Sequence, residues 1–269
     1  MVLDLLTLTL LQNQMLVWGA EMKEKLKAFF KGFTTFDIVF LSIAYPLLIV
    51  VSILCGSDAL TIVYTLIAVS GIFLLSKGCF IAPVVIAVAY VLYAVLSYQN
   101  GLYGETIIYC ALLIPIQIAT IILWLTKKKK DNNKFVIAKV SWKHLMIVLA
   151  SGIILGVGAY FLLQSFNTKY LVLSTIILVV CTLSNYLTLI KSEYSFVGFI
   201  FNNILFCLLW ILPLIQGEVN GISILPMVVS GILFTVTNVK GLIEWLKMKK
   251  EQKADLIEEK IEKAIEDEK

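Results

Sequence analysis

Eight runs of apolar residues divide this chain of 269 residues, at roughly 35–55, 58–76, 79–98, 105–126, 143–164, 170–190, 195–216 and 222–246. Each is close to the ~20 residues that a helix needs to cross a bilayer, where the backbone must satisfy its N–H and C=O groups within the segment. The connections between runs are short, which leaves no room for a sizeable water-soluble domain. Hydrophobic residues make up 60% of the chain and the mean hydropathy is +0.94, well outside the range of soluble domains. The expected fold class is an all-α integral membrane protein with eight transmembrane helices.

Charge gives the orientation. The 22 basic residues are all lysine. With a cytoplasmic N-terminus, eight crossings return the C-terminus to the cytoplasm, and every lysine except Lys169 then falls on the inner side. This is a strong form of the positive-inside rule. The expectation is a multi-pass protein of the cell (plasma) membrane with both termini cytoplasmic. The net charge of +4 is accordingly a topology signal, and no nucleic-acid partner is expected. Residues 1–18 are also apolar, but Asp4 comes early and no basic residue precedes the run, so an interfacial or disordered start is expected rather than a signal peptide.

A weak internal repeat organises the spans. A shift of 114 residues lays Thr61-Ile62 on Thr175-Ile176, Ser70 on Ser184 and Lys77 on Lys191. After an insertion in the second half, Gln117 falls on Asn238 and Trp124 on Trp245. Each amide precedes its tryptophan by seven residues, close to two helical turns, so the two share a face. Trp124, Trp142, Trp210 and Trp245 lie near helix ends and read as interfacial anchors. The two triplets have the same sidedness and need one further helix to connect them, which the Gly-rich run 143–164 supplies. The expected organisation is a cytosolic N-terminal tail (1–34), an accessory helix (35–56), a first triple-helix bundle (57–126), a cytosolic loop and connector (127–169), a second triple-helix bundle (170–247) and a charged cytosolic tail (248–269).

The spans carry almost no charge at depth. Glu105 lies at an outer helix end, Asp37, Lys143 and His144 at inner ends, and Lys240 and Glu244 read as an i,i+4 pair near the inner end of the last helix. This argues against an ion-coupled pump, which needs carboxylates at depth. There is no Walker or GxGxxG pattern, no Ser-His arrangement and no HExxH. The five cysteines lack paired spacing and His144 is the only histidine, so no metal or cofactor is expected, and no enzyme activity. What the spans hold instead is neutral: Tyr90, Tyr93, Tyr109, Gln117, Asn185, Tyr186, Asn202, Asn203 and Asn238. Amides in lipid without a partner are costly, so these should face the bundle interior. There they either bond helix to helix or line an uncharged pocket, and amides with aromatics suit a planar, hydrogen-bonding solute such as a nucleoside or vitamin.

Further resemblance rests on Lys77-Gly78, Tyr93, Asn100-Gly101-Leu102-Tyr103-Gly104-Glu105, Pro115-x-Gln117 and Trp124, then Asn203 and Asn238-x-x-Gly241-x-x-x-Trp245. On these residues, from about Ile62 to Trp245, the sequence resembles the PnuC family of vitamin transporters. The resemblance implies a 3+1+3 parallel-repeat bundle like that of SWEET-type sugar transporters. It implies facilitated diffusion of nicotinamide riboside or a related solute, with uptake driven by phosphorylation by a separate cytosolic kinase. It also suggests a trimer or similar homo-oligomer, and a substrate site at mid-membrane with Gln117, Asn203 and Asn238 at the matching positions.

The sequence departs from the family at Ile81, Ala82 and Ala89, where Trp, Asn and Asn are common, while Phe196 and Phe199 align with a Trp-x-x-Trp pair. The candidate substrate-binding set is Gln117, Asn203, Asn238, Asn202, Asn185, Tyr93, Phe196 and Phe199. Thiamine, riboflavin or a deoxynucleoside are alternative cargoes. A vitamin-binding subunit of a larger transport complex, and a structural or sensory protein whose amides pair with one another, are alternative classes.

Overall fold

The computed structural model describes residues 33–130, 135–216 and 225–267, and among these every regular element is helical. Helix α1 (Thr35–Leu54) contains Pro46. Helix α2 (Ala59–Ser76) starts at Asp58, whose carboxylate accepts the Thr61 N–H at 2.8 Å. Helix α3 (Ala82–Gln99) carries Pro83 in its first turn, where the missing N–H has no intrahelical partner to lose. Helix α4 (Tyr103–Ile108), a π-helical turn (Tyr109–Leu113) and α5 (Ile114–Lys130) form one continuous span. The wide turn sits directly before Pro115, which cannot donate to the preceding turn and crowds its carbonyl.

Helix α6 (Trp142–Ser165) is capped by Ser141, whose Oγ accepts the His144 N–H at 3.2 Å. Helices α7 (Leu171–Leu189), α8 (Tyr194–Gln216) and α9 (Leu225–Asp267) follow. Eight of these helical spans are long and apolar enough to cross a membrane. Helix α9 runs unbroken to Asp267, so the charged tail expected from residue 248 continues the last span. Most of the expected N-terminal tail lies outside the described residues.

The described residues divide into two compact units, one ending at Leu47 and the other beginning at Leu48. In the first, Thr34 and Asp37 cap α1 reciprocally. Thr34 N and Oγ1 donate to Asp37 Oδ2 at 2.7 and 2.9 Å, and Asp37 N donates back to Thr34 Oγ1 at 3.3 Å.

In the second unit six helices close a ring. Helix α2 packs on α3 and α9, α9 on α8, α8 on α7, α7 on α5, and α5 on α3. Helix α6 lies outside the ring against α7.

The two tight turns at the lysine-bearing end of the ring share one hydrogen-bond pattern. After α2, Gly78 N donates to Leu75 O and Cys79 N to Leu74 O, at 2.9 and 3.0 Å. After α7, Lys191 N donates to Thr188 O and Ser192 N to Leu187 O, both at 2.9 Å. Both are Schellman closures with a left-handed residue, Gly78 at φ 64° and Lys191 at φ 59°. The shared pattern pairs the turn residue Gly78 with Lys191, one position from the sequence match of Lys77 with Lys191.

Ion pairs tie α9 to both turns. Glu244 holds Lys77 at 2.8 Å and Lys240 at 3.1 Å, and Lys249 pairs with Glu193. The tryptophans correct one expectation. Trp124, Trp210 and Trp245 are buried in the protein, and among the four only Trp142 is exposed as an interfacial anchor would be. The indole N–H explains the burial at two of them. Trp124 Nε1 donates to Thr188 O and Leu189 O at 3.3 and 3.2 Å, and Trp245 Nε1 donates to Leu75 O at 3.1 Å. Each thus bonds carbonyls in the last turn of a helix, two of which, Leu75 O and Thr188 O, also accept from the turn that closes it.

Candidate functional site

Inside the ring is a small cavity of about 70 Å³. Six aromatic rings face it: Tyr64 from α2, Tyr90 from α3, Tyr109 from the π-helical turn, Phe199 and Phe206 from α8, and Phe234 from α9. Three amides join them, Asn202 and Asn203 from α8 and Asn238 from α9. No Lys, Arg, His, Asp or Glu is among the described residues of its lining.

The amides are buried and under-bonded. Asn202 Oδ1, Asn203 Nδ2 and both Oδ1 and Nδ2 of Asn238 have no hydrogen-bond partner in the protein. A buried polar atom in that condition costs about 1–3 kcal/mol. Two donors and two acceptors beside a set of flat aromatic faces form a wall able to hydrogen-bond and stack a planar polar solute.

A layer of bonded polar groups stands behind this wall. Gln117 Nε2 and the Tyr90 hydroxyl both donate to Asn185 Oδ1, at 2.5 and 2.9 Å, and Asn185 Nδ2 donates to Cys181 O at 2.8 Å. The network joins α5, α3 and α7 and fixes the Tyr90 ring, which meets Tyr109 edge-on at 5.2 Å. Tyr93 packs against Tyr109 at 4.5 Å and Tyr64 at 5.4 Å. Its hydroxyl donates to Glu105 Oε2 at 2.8 Å, and Ser174 Oγ lies 3.5 Å from Glu105 Oε1. Glu105 is thus a buried carboxylate in the first turn of α4, held by a tyrosine and a serine.

Phe196 lies towards the lysine-bearing end, with its ring edge-on to Trp245 at 5.0 Å. It passes so close to Gly241 that a Cβ there would come within 2.4 Å of Phe196 Cε1, which accounts for glycine at that helical position.

Of the eight residues expected from the sequence, Asn202, Asn203, Asn238 and Phe199 face the cavity. Gln117, Asn185, Tyr93 and Phe196 are buried outside its lining, in the bonded layer or the aromatic cluster. Sequence reasoning missed Tyr64, Cys181, Phe206 and Phe234, which in composition resemble the residues facing lipid. Phe206 also packs against Tyr93 at 6.0 Å between ring centroids.

A closed ring of membrane-spanning helices around a polar and aromatic chamber is the architecture of a multi-pass membrane transporter. The chain matches the family described as nicotinamide mononucleotide transporter over residues 58–247, and it belongs to that family. The nicotinamide riboside transporter PnuC of Neisseria mucosa is 22% identical over 225 residues, spanning 82% of this chain and 84% of that protein. The crystal structure of the vitamin B3 transporter PnuC has the same fold, with a TM-score of 0.71 at 22% identity, covering 82% of this chain and 94% of that one.

Proposed function

We propose that this protein carries nicotinamide riboside, or a vitamin-like nucleoside of similar size, across the cell membrane by facilitated diffusion through the cavity of the helix ring. The observation that carries the reading is the set of unpaired amide atoms on Asn202, Asn203 and Asn238 beside six aromatic faces. The amides match a carboxamide and ribose hydroxyls, and the rings match a planar base. Among the described residues the lining has no cation to compensate a phosphate, which favours the nucleoside over its 5′-phosphate. Asn202, Asn203, Asn238 and Phe199 are the proposed contacts, with Gln117, Asn185, Tyr93 and Phe196 as the layer that positions the wall.

The transport plan is two parallel triplets, α2–α3–α5 and α7–α8–α9, joined by α6. Exchanging the triplets maps each neighbour contact of the ring onto another, and the paired turns and the Trp124 and Trp245 hydrogen bonds obey the same exchange. The lysine distribution supports cytoplasmic termini. With no ion-coupling group in the cavity lining, net uptake would come from phosphorylation of the cargo by a cytosolic kinase. A trimer or similar homo-oligomer follows from the family resemblance.

The test is counterflow of radiolabelled nicotinamide riboside in proteoliposomes containing only this protein, with thiamine, riboflavin, deoxynucleosides and nicotinamide mononucleotide as competitors. Counterflow blocked by excess nicotinamide riboside and not by the mononucleotide is the expected result. Competition by thiamine, riboflavin or a deoxynucleoside alone would reassign the cargo. Binding without flux would make the protein a subunit of a larger transport complex.

A further inference from the structure

At its lysine-bearing end the ring is closed by a segment that belongs to none of its six helices. Residues 135–141, between α5 and α6, carry no helix. The Phe135 ring lies between the two tryptophans, 5.1 Å from Trp124 and 5.0 Å from Trp245, and 5.6 Å from Phe80. Gln252 of α9 clamps the backbone at two points: its Nε2 donates to Phe135 O at 2.8 Å, and its Oε1 accepts Ile137 N at 3.1 Å. Ala138 N donates to Lys191 O at 3.0 Å, and Lys191 Nζ stands 4.9 Å from the Phe135 ring. Gly78 makes room on the other side, since a Cβ there would meet Phe135 Cδ1 at 2.8 Å. One short segment thus touches the turn after α2, the end of α5, the turn after α7, and α9.

The same cluster borders the cavity. Leu75, Ile86, Tyr90 and Phe199 pack in it and also line the cavity wall. A solute leaving towards the lysine-bearing side would meet this cluster, in which Phe135 packs between the two tryptophans. Displacing a segment held by three hydrogen bonds, the Phe135 ring and the buried Ile137 side chain disturbs less packing than parting two helices of the ring.

We propose that Phe135 is the gating residue of this exit, a plug between the two halves of the ring, and that Gln252 is the positioning residue that latches it. The role in transport rests on the function proposed above, whereas the test reads only access to the cavity. Cys181 lines the cavity and serves as a native reporter. The full-length protein is prepared with Cys55, Cys79, Cys110 and Cys207 replaced by serine, in membrane vesicles of both orientations. A small membrane-impermeant thiol reagent, sulfonatoethyl methanethiosulfonate, is applied to either face, and the labelling rate of Cys181 is followed by mass spectrometry.

Phe135→Ala and Gln252→Ala should each accelerate labelling by about fivefold or more from the lysine-bearing face, and by less than about twofold from the opposite face. Gln252→Ala removes only the latch, so it decides the question if Phe135→Ala fails to fold. Unchanged rates in the folded variants would overturn the proposal. Equal acceleration from both faces would overturn it as well, because Phe135 would then be a packing residue whose loss loosens the whole ring. Nicotinamide riboside takes no part in this measurement, so a different cargo, or none, leaves its outcome standing.

Discussion

Trp124 and Trp245 stand 6.4 Å apart between ring centroids, and each sends its indole N–H into the end of another helix, α7 for Trp124 and α2 for Trp245. Trp124 donates to Leu189 O and Trp245 to Leu75 O, at 3.2 and 3.1 Å. The pair does two jobs at once: the rings fill the end of the bundle, and the N–H groups bond carbonyls at the ends of α7 and α2.

Replacing either tryptophan by phenylalanine separates those jobs. Trp124→Phe and Trp245→Phe keep an aromatic ring and lose one donor, which should cost about 1 kcal/mol each. Thermal unfolding in detergent should show similar drops for the two variants, on the order of 2–4 °C. Because the rings are neighbours, the double variant should depart from additivity. A large loss for one and none for the other would count against equivalent roles.

Asn203→Ala and Asn238→Ala should weaken binding of the cargo by about tenfold or more, in keeping with the loss of a hydrogen bond to a buried partner. The atoms they remove include ones with no partner in the protein, so the melting temperature of the free protein should hold or rise. Isothermal titration and thermal unfolding on the same samples make the comparison, and a fall in stability without a change in affinity would assign these amides to the scaffold.

Gln117→Leu should behave in the opposite way. It removes the 2.5 Å bond to Asn185, and Asn185 Oδ1 keeps only the Tyr90 hydroxyl. Stability should fall by about 1–2 kcal/mol while affinity for the cargo changes by only a few-fold through the Tyr90 ring. Urea unfolding in detergent beside the binding titration checks both.

Ala89→Asn adds an amide to the α3 side of the cavity wall. A new donor and acceptor facing the solute should tighten binding of a nucleoside by about threefold or more and leave a flat, hydroxyl-poor competitor unaffected. Competition titrations with the variant and the parent give the ratio. No change in that ratio would mean that the α3 side of the wall does not touch the sugar or the carboxamide.

Much of the fold was legible in the sequence because bilayer physics leaves few choices. A run such as Ala59–Ser76 in hydrocarbon can only be helical, and Lys77, Lys127, Lys191 and Lys240 mark one end of the bundle by their charge. Lys77 and Lys191 match in residue type, but the left-handed residue that closes each turn is Gly78 in one and Lys191 in the other. The tryptophans were misread for a related reason: a Trp at a helix end suits lipid headgroups and a helix terminus equally well, and only the neighbouring carbonyl distinguishes them.

The polar residues mark the limit most clearly. By itself the sequence determined that Gln117, Asn185, Asn203 and Asn238 turn away from lipid, since an unbonded amide there is too costly. Which of them would bond each other and which would face empty space was decided only by the tertiary structure. Gln117 and Asn185 lie 68 residues apart, and they meet because α5 and α7 pack at one rotation. Asn238 has no partner in reach and faces the cavity. Helix rotation about its own axis is set by the packing of every neighbour in the ring, and no local pattern of residues encodes it.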